Sequence, residues 1–395
     1  MAGYNHSLEE AAVRFDSSKD FTIGIEEEFQ ILDPESLALT NRFEEMKAAG
    51  EKRLGSSIRG ELIASEVEIC TDKCASIAEA AKDLRDKRRG LFRTAAELGV
   101  TLGATGTHPF ADWKDQRIIN TPHYQRVEEL LRYCAWHNTT FGMHVHIGIR
   151  GRERIIAIFD AIRSYLPIFL ALSANSPFAE GVYTYLHSTR SQLFTKFFPR
   201  CGIPGPIGSW DEYTDYMSTL FSTGSVTEPT QVWWSVRPHP YFGTLEIRIC
   251  DCQSNVEDTL AVSALILAVT AMLAGEYDDG RELPVANTMQ VEENFWNAIR
   301  FGLDAEMIDF GLRQRIPVKE AIVRLTDRVS THAKRLGLGE HMERIRQIIT
   351  VGNGAQRQIR MYQETGDILE VFTQAVSWCQ PERHQEERSR LSEQL

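Results

Sequence analysis

FTIGIEEEFQIL, Phe21 to Leu32, reads as a β-strand carrying three adjacent glutamates. With the two-residue period of a strand, Ile23, Ile25, Phe29 and Ile31 share one face with Glu27, while Glu26, Glu28 and Gln30 share the other. One face is apolar and the other presents two carboxylates. Held side by side, two carboxylates repel by roughly 4 kcal/mol at about 4 Å and an effective dielectric near 20. Either a bound cation offsets that repulsion or the face points to solvent, and this stretch alone leaves both open.

Three further segments show polar strand faces. Glu61 to Thr71, ELIASEVEICT, mixes β-branched residues with acids. Glu66 and Glu68 share a face of a continuous strand, whereas Glu61 and Glu68 do so only if a bulge or bend intervenes. In Phe141 to Ile149, FGMHVHIGI, His144 and His146 project from one face and Val145 and Ile147 from the other. In Thr244 to Cys252, TLEIRICDC, Glu246, Arg248 and Cys250 face one way and Leu245, Ile247 and Ile249 the other. That strand pairs with Gln231 to Arg237 through Pro238 to Gly243.

Each face alone has an ordinary structural reading. Brought together in an antiparallel sheet, they would line one acidic cavity with histidine and arginine at its edge. Carboxylate oxygens with a single imidazole suit Mg²⁺ or Mn²⁺ better than zinc. Two or more such ions suit phosphoryl transfer, because they bridge phosphate oxygens and neutralise charge. No G-x-x-x-x-G-K-[ST] or G-x-G-x-x-G occurs, so a bound ATP would rest on the sheet and its metals.

Ser76-Ile77-Ala78-Glu79 is a capping box opening a helix to about Leu98. Val100 to Ala104 reads as a short buried strand, and Tyr124 to Asn138, Arg154 to Leu172 and Leu186 to Phe198 as helices. Arg200 to Ser209 is a Gly- and Pro-rich loop, Asn255 caps an apolar helix, and the pattern from Val291 onward is helical throughout. The expected organisation is a flexible segment over 1–20, a single catalytic domain over 21–380, and a polar tail over 381–395.

The 395 residues are 43% hydrophobic and 25% charged, ample for a large core. A net charge of -12 without a basic stripe argues against a nucleic-acid partner. The seven cysteines are odd in number and scattered, which fits reduced core thiols in a cytoplasmic protein. The N-terminus lacks the basic start and apolar core of a signal peptide. The uncharged run Leu260 to Gly275 spans about 24 Å as a helix, short of a roughly 30 Å hydrocarbon layer, so it is read as a core helix and no membrane partner is expected.

The segments GIEEEFQILDPES, GTHPFADW, GMHVHIG, ALSANSPF, STRSQLF, WWSVRPH and GTLEIRICD, in that order over roughly Phe21 to Gly275, resemble the glutamate-cysteine ligase type 2 family of bacterial carboxylate-amine ligases. The resemblance implies an α+β, glutamine-synthetase-like fold, in which a curved antiparallel sheet floors a funnel and helices pack behind it. It also implies ATP-dependent ligation of a carboxylate, usually that of glutamate, to an amine such as cysteine through an acyl phosphate, with Mg²⁺ or Mn²⁺.

Carried over by position, the resemblance makes Glu26, Glu28, Glu61, Glu68, His144 and Glu246 metal ligands. Arg248, with Glu246, would act in catalysis, its planar fork meeting phosphate oxygens. Arg190 and Arg237 are candidates for carboxylate or phosphate contacts, against a reading as solvated surface arginines. Asn175 and Trp234 are candidates for the cofactor and substrate pocket, although Trp233 or Trp234 fits a core position equally. His146 has three open roles: ligand, substrate contact or support for its neighbour. Ala179 to Tyr185, AEGVYTY, departs from the glycine-rich segment the family pattern leads one to expect, which leaves the choice of acid and amine open. The expected partners are small-molecule acid and amine substrates, and a second copy of the chain in a homo-oligomer. The competing readings are a metal-dependent amide hydrolase and a non-catalytic ATP-binding protein.

Overall fold

In the computed structural model, which describes residues 2–381 with side chains from Leu8 onward, β1 (Ile23–Leu32) lies inside a seven-stranded sheet. The other strands are β2 (Ile58–Arg59), β3 (Glu66–Cys70), β4 (Thr101–Gly103), β5 (Gly142–Gly148), β6 (Val236–His239) and β7 (Thr244–Asp251). Across the sheet the order is β6-β7-β5-β1-β3-β2, every pair antiparallel, and β4 pairs with Gln30 to Leu32 at the end of β1.

The apolar face of β1 is buried, and Glu27 is buried with it. Arg88, from the helix Ile77–Glu97, donates two hydrogen bonds of 2.6 Å to the Glu27 carboxylate, and Thr259 donates a third of 2.6 Å. The remaining Arg88 donors reach the carbonyls of Gln253 and Ser254. A charge this deep is tolerated because every part of it is paired.

Helices cover this face. Ser76 caps Ile77–Glu97 by accepting from the Glu79 amide at 3.2 Å, while the Glu79 carboxylate reaches back to the Ala75 amide. Asn255 caps Val256–Asp278, whose residues from Val256 to Ala274 are buried apart from Glu257. Arg152–Ser173 and Val256–Asp278 are long and apolar enough to cross a membrane, yet 78% and 94% of their apolar windows lie inside the protein. Both serve as core helices of this fold.

Several expectations are corrected. The segment 1–20, read as flexible, forms a helix over Ala2–Ser17, with Leu8, Ala11, Ala12 and Phe15 buried at helical spacing and Phe15 edge-on to Trp210. The helix read over Arg154 to Leu172 is interrupted by a 3₁₀ turn at Arg163–Tyr165, just before Pro167, which has no amide to donate. The helix over Tyr124 to Asn138 breaks at Arg132, where φ is 47°. The C-terminal region contains a hairpin, Glu306–Asp309 with Gln314–Pro317, between its helices. Apart from Pro381, the tail over 381–395 lies outside the described residues.

The parity read for β7 also fails at its end. Ile247 pairs with Val145 but Cys250 pairs with Met143, so one extra residue bulges out between them. Cys250 therefore turns into the core beside Met143, away from Glu246, and Asp251 opposite Gly142 takes the other face.

Candidate active site

Directly opposed residues of an antiparallel ladder project from the same face. Register therefore lines up a band of polar side chains across the sheet: Arg59 opposes Glu68, Glu68 opposes Glu28, Glu26 opposes His144, His146 opposes Glu246, and Glu246 opposes Arg237. Glu61 joins them from the connection between β2 and β3. The chain leaves the strand there, which is how a seven-residue spacing reaches the same place.

The band floors a cavity of about 410 Å³. His144 Nδ1 lies 3.2 Å from Glu26 and its Nε2 3.6 Å from Glu28, while His146 Nε2 lies 3.5 Å from Glu26 and 3.8 Å from Glu246. Three sets bring donor atoms within 4.8 Å of one another: Glu26, Glu68 and His144; Glu26, His146 and Glu246; Glu28, Glu61 and Glu68. Arg248 donates to Glu246 at 2.6 Å, and Arg237 grips the same carboxylate through Nε and Nη2.

The electrostatics divide the carboxyls into two groups. Burial and then Glu28 push the Glu61 carboxyl up to about 7. Burial, with neighbouring glutamates, lifts Glu66 and Glu68 well above the usual range. Burial opposes ionisation of Glu26 and Glu246 too, but His146 and His144 hold the first well below that range and Arg237 and Arg248 hold the second there. Burial, helped by Arg248, lowers His144, whereas Glu26 and Glu246 outweigh burial at His146 and raise it.

This donor set fits hard divalent cations. Oxygen ligands dominate, one imidazole serves each histidine-containing set, and the crowding of Glu28, Glu61, Glu66 and Glu68 is the repulsion such an ion relieves. Buried Glu66 Oε2 and His146 Nε2 have no hydrogen-bond partner among the described residues. Hydrogen-bonding capacity at these two atoms is left for something else to satisfy.

All six proposed ligands line the cavity, as do Arg190, Arg237 and Arg248. Arg190 and Arg237 are 3% and 7% exposed, which removes the reading as solvated arginines. Asn175 does not reach the cavity. Its buried amide donates to the carbonyls of Ala104 and Cys252, and its oxygen accepts from Gln358, so it ties three segments together. Trp234 also points away, stacked on Tyr216 with centroids 5.4 Å apart, and Trp233 lines the cavity in its place. Part of the lining is apolar, with Leu62, Val127, Phe194 and Phe198 packed in one cluster. Ala179 to Tyr185 forms a tight hairpin in which Phe178–Ala179 pairs with Val182–Tyr183. Sequence reasoning missed Arg59, since a two-residue strand has no periodicity to read.

The glutamate-cysteine ligase family 2 (GCS2) pattern matches residues 22–374. A protein of Solibacter usitatus named "Putative glutamate-cysteine ligase 2" is 40% identical over 89% of this chain and 91% of its own length. One of the same name from Sorangium cellulosum is 39% identical over 87% and 92%. Among solved structures, a glutamate-cysteine ligase of Francisella tularensis in complex with AMP superposes with a TM-score of 0.67 at 13% identity, covering 92% of this chain and 90% of that one. A bifunctional glutathione synthetase of Pasteurella multocida gives 0.67 at 14% identity over 94% of this chain and 53% of that one. These two establish the fold, an antiparallel sheet backed by helices, and the sequence matches establish kinship: the chain belongs to the glutamate-cysteine ligase family 2.

Proposed function

We propose that this protein is an ATP-dependent carboxylate-amine ligase that activates its acid as an acyl phosphate. The observation that carries the reading is the band of carboxylates and histidines across the sheet, with Arg237 and Arg248 at one end and Arg190 lining the same cavity. Glu26, Glu28, Glu61, Glu68, His144 and Glu246 would hold Mg²⁺ or Mn²⁺, which would supply positive charge to offset that of the transferring phosphate.

A carboxylate oxygen of the acid attacks the γ-phosphorus of ATP, the bond to the β-phosphate oxygen breaks, and ADP leaves. The amine nitrogen then attacks the acyl carbon, loses a proton, and expels inorganic phosphate to leave an amide. The protein's share is to hold two anions and a nucleophile together against their repulsion. Arg248, anchored on Glu246, presents its fork to the transferring phosphoryl group. No nucleophilic side chain is required. Burial raises the Cys250 thiol to about 12, and the bulge turns it into the core.

The test is phosphate release from ATP and Mg²⁺ across a panel of acids, each with and without small amines. The names of the relatives supply glutamate and cysteine as the first pair. Release that requires both partners is the expected result. Amide cleavage without ATP would replace this reading with a hydrolase, and ATP binding without turnover on any pair would replace it with a binding protein.

A further inference from the structure

Resting on the ligase reading, we infer that Asp251 is a positioning residue that presets Arg190 as the receptor for the carboxylate of the acid substrate. The β7 bulge delivers Asp251 to the site side of the sheet, opposite Gly142. Fully buried, its carboxylate accepts from the Asn175 amide at 2.8 Å, Ser176 Oγ at 2.7 Å and Ser188 Oγ at 2.8 Å. Ser188 caps the helix Thr189–Phe197 that carries Arg190, and Ser176 Oγ accepts from the Arg190 amide at 3.2 Å. One carboxylate thus fixes both ends of the turn from which Arg190 projects.

The guanidinium is seated with equal care and left unsatisfied. Nη1 and Nη2 make only long bonds, 3.3 and 3.4 Å, to the carbonyls of Ile249 and Arg248, and Nη1 stays 3.9 Å from Asp251. Nε is buried without a partner among the described residues, and the side chain lines the cavity. Two glycines make the space. A Cβ at Gly142 would overlap the Arg190 guanidinium, and a Cβ at Gly106 would lie 2.6 Å from the Asp251 carboxyl carbon.

An arginine whose own carboxylate is engaged elsewhere keeps its charge for a ligand. Arg237 and Arg248 bond the Glu246 carboxylate, farther along β7 from Asp251. Phosphate donor and acid can therefore meet over the carboxylate cluster, each facing its own arginine.

The experiment measures KM separately for the acid and for ATP, with kcat, in Arg190→Gln, Asp251→Asn and Gly142→Ala, using the acid and amine that the panel identifies. Each variant is expected to raise the acid KM about tenfold to hundredfold, the loss of a charged hydrogen bond, and to leave the ATP KM unmoved. Asp251→Asn added to Arg190→Gln should raise the acid KM no further, because both act through one group. If Asp251→Asn fails to fold, Gly142→Ala carries the test with Asp251 intact. A rise in the ATP KM in place of the acid KM, or additive effects in the double variant, would overturn the inference while the ligase stands. No acid-dependent phosphate release from the wild type would overturn both.

Discussion

Replacing Glu61 with Gln isolates the repulsion a bound cation would relieve. Burial and Glu28 push the folded-state carboxyl to about 7, against 4.5 for an ordinary glutamate. The unfolded chain therefore releases this proton first as pH rises, and the wild type loses stability between about 4.5 and 7. At about 1.4 kcal/mol per pH unit the loss is about 3 kcal/mol. Glu61→Gln carries no charge and escapes it. In EDTA the two proteins should unfold alike near pH 4.5 and diverge above it, with the variant ahead by roughly 4 °C in Tm at pH 8 for a chain of 395 residues. The comparison must be a difference. Burial holds the rings of His108 and His187 at about 4 and that of His239 at about 3, which tilts stability the opposite way over part of the same range. Saturating Mg²⁺ should erase the variant's advantage and stabilise the wild type more at pH 8 than at pH 6, since ion and proton compete for the same oxygens. Thermal melts of both proteins across this range decide it. A wild type as stable as Glu61→Gln at pH 8 in EDTA, or an identical Mg²⁺ shift in both, refutes the crowding argument.

Arg88→Ala should cost about 3 to 5 kcal/mol in urea unfolding, because it removes the partner of the Glu27 carboxylate, which is 0% exposed; a cost below about 1 kcal/mol would refute the buried pair as a stabilising contact. Arg248→Lys should lower kcat yet leave stabilisation by Mg²⁺ intact, since Lys keeps the charge and loses the planar fork; an unchanged kcat would place Arg248 away from the transferring group. Asn175→Ala should destabilise by roughly 2 to 4 kcal/mol in the same unfolding assay, three buried hydrogen bonds being lost. A variant of unchanged stability and raised KM would return Asn175 to the pocket.

How far the sequence carried depended on whether a face was an uninterrupted ladder. In β1 and β5 it was, so the alternation of Glu26 and Glu28 with Ile25 and Glu27, and of His144 and His146 with Val145, gave the site face and the core face correctly. The helix Ala2–Ser17 was missed because, among its described side chains, two of the four buried ones are alanines, too small to mark a stripe against Arg14, Glu9 and Glu10. Asn175 and Trp234 sit in motifs that do belong to the site region, yet the first braces backbone carbonyls and the second stacks on Tyr216. A motif marks where chain segments must meet, and some of its residues make that meeting possible without touching what is bound.

The end of β7 shows the same point at the level of one residue. Strict alternation from Glu246 puts Cys250 in the cavity and Asp251 in the core, and a bulge has no compositional signature that would say otherwise. With the extra residue, the thiol joins Met143 in the apolar layer and the carboxylate reaches Ser176, Ser188 and the Asn175 amide. Without it, Arg190 would lack the group that fixes its turn, and a buried Asp251 would face Phe141 and Met143 with no side-chain donors, at a cost of several kcal/mol. Two segments that lie well before β7 in sequence, ALSANSPF and STRSQLF, carry the serines that this carboxylate needs. Their presence together with an aspartate after EIRIC is therefore best explained by the bulge itself: the donors mark which face Asp251 must occupy, and a register shift between Ile247 and Cys250 is what puts it there.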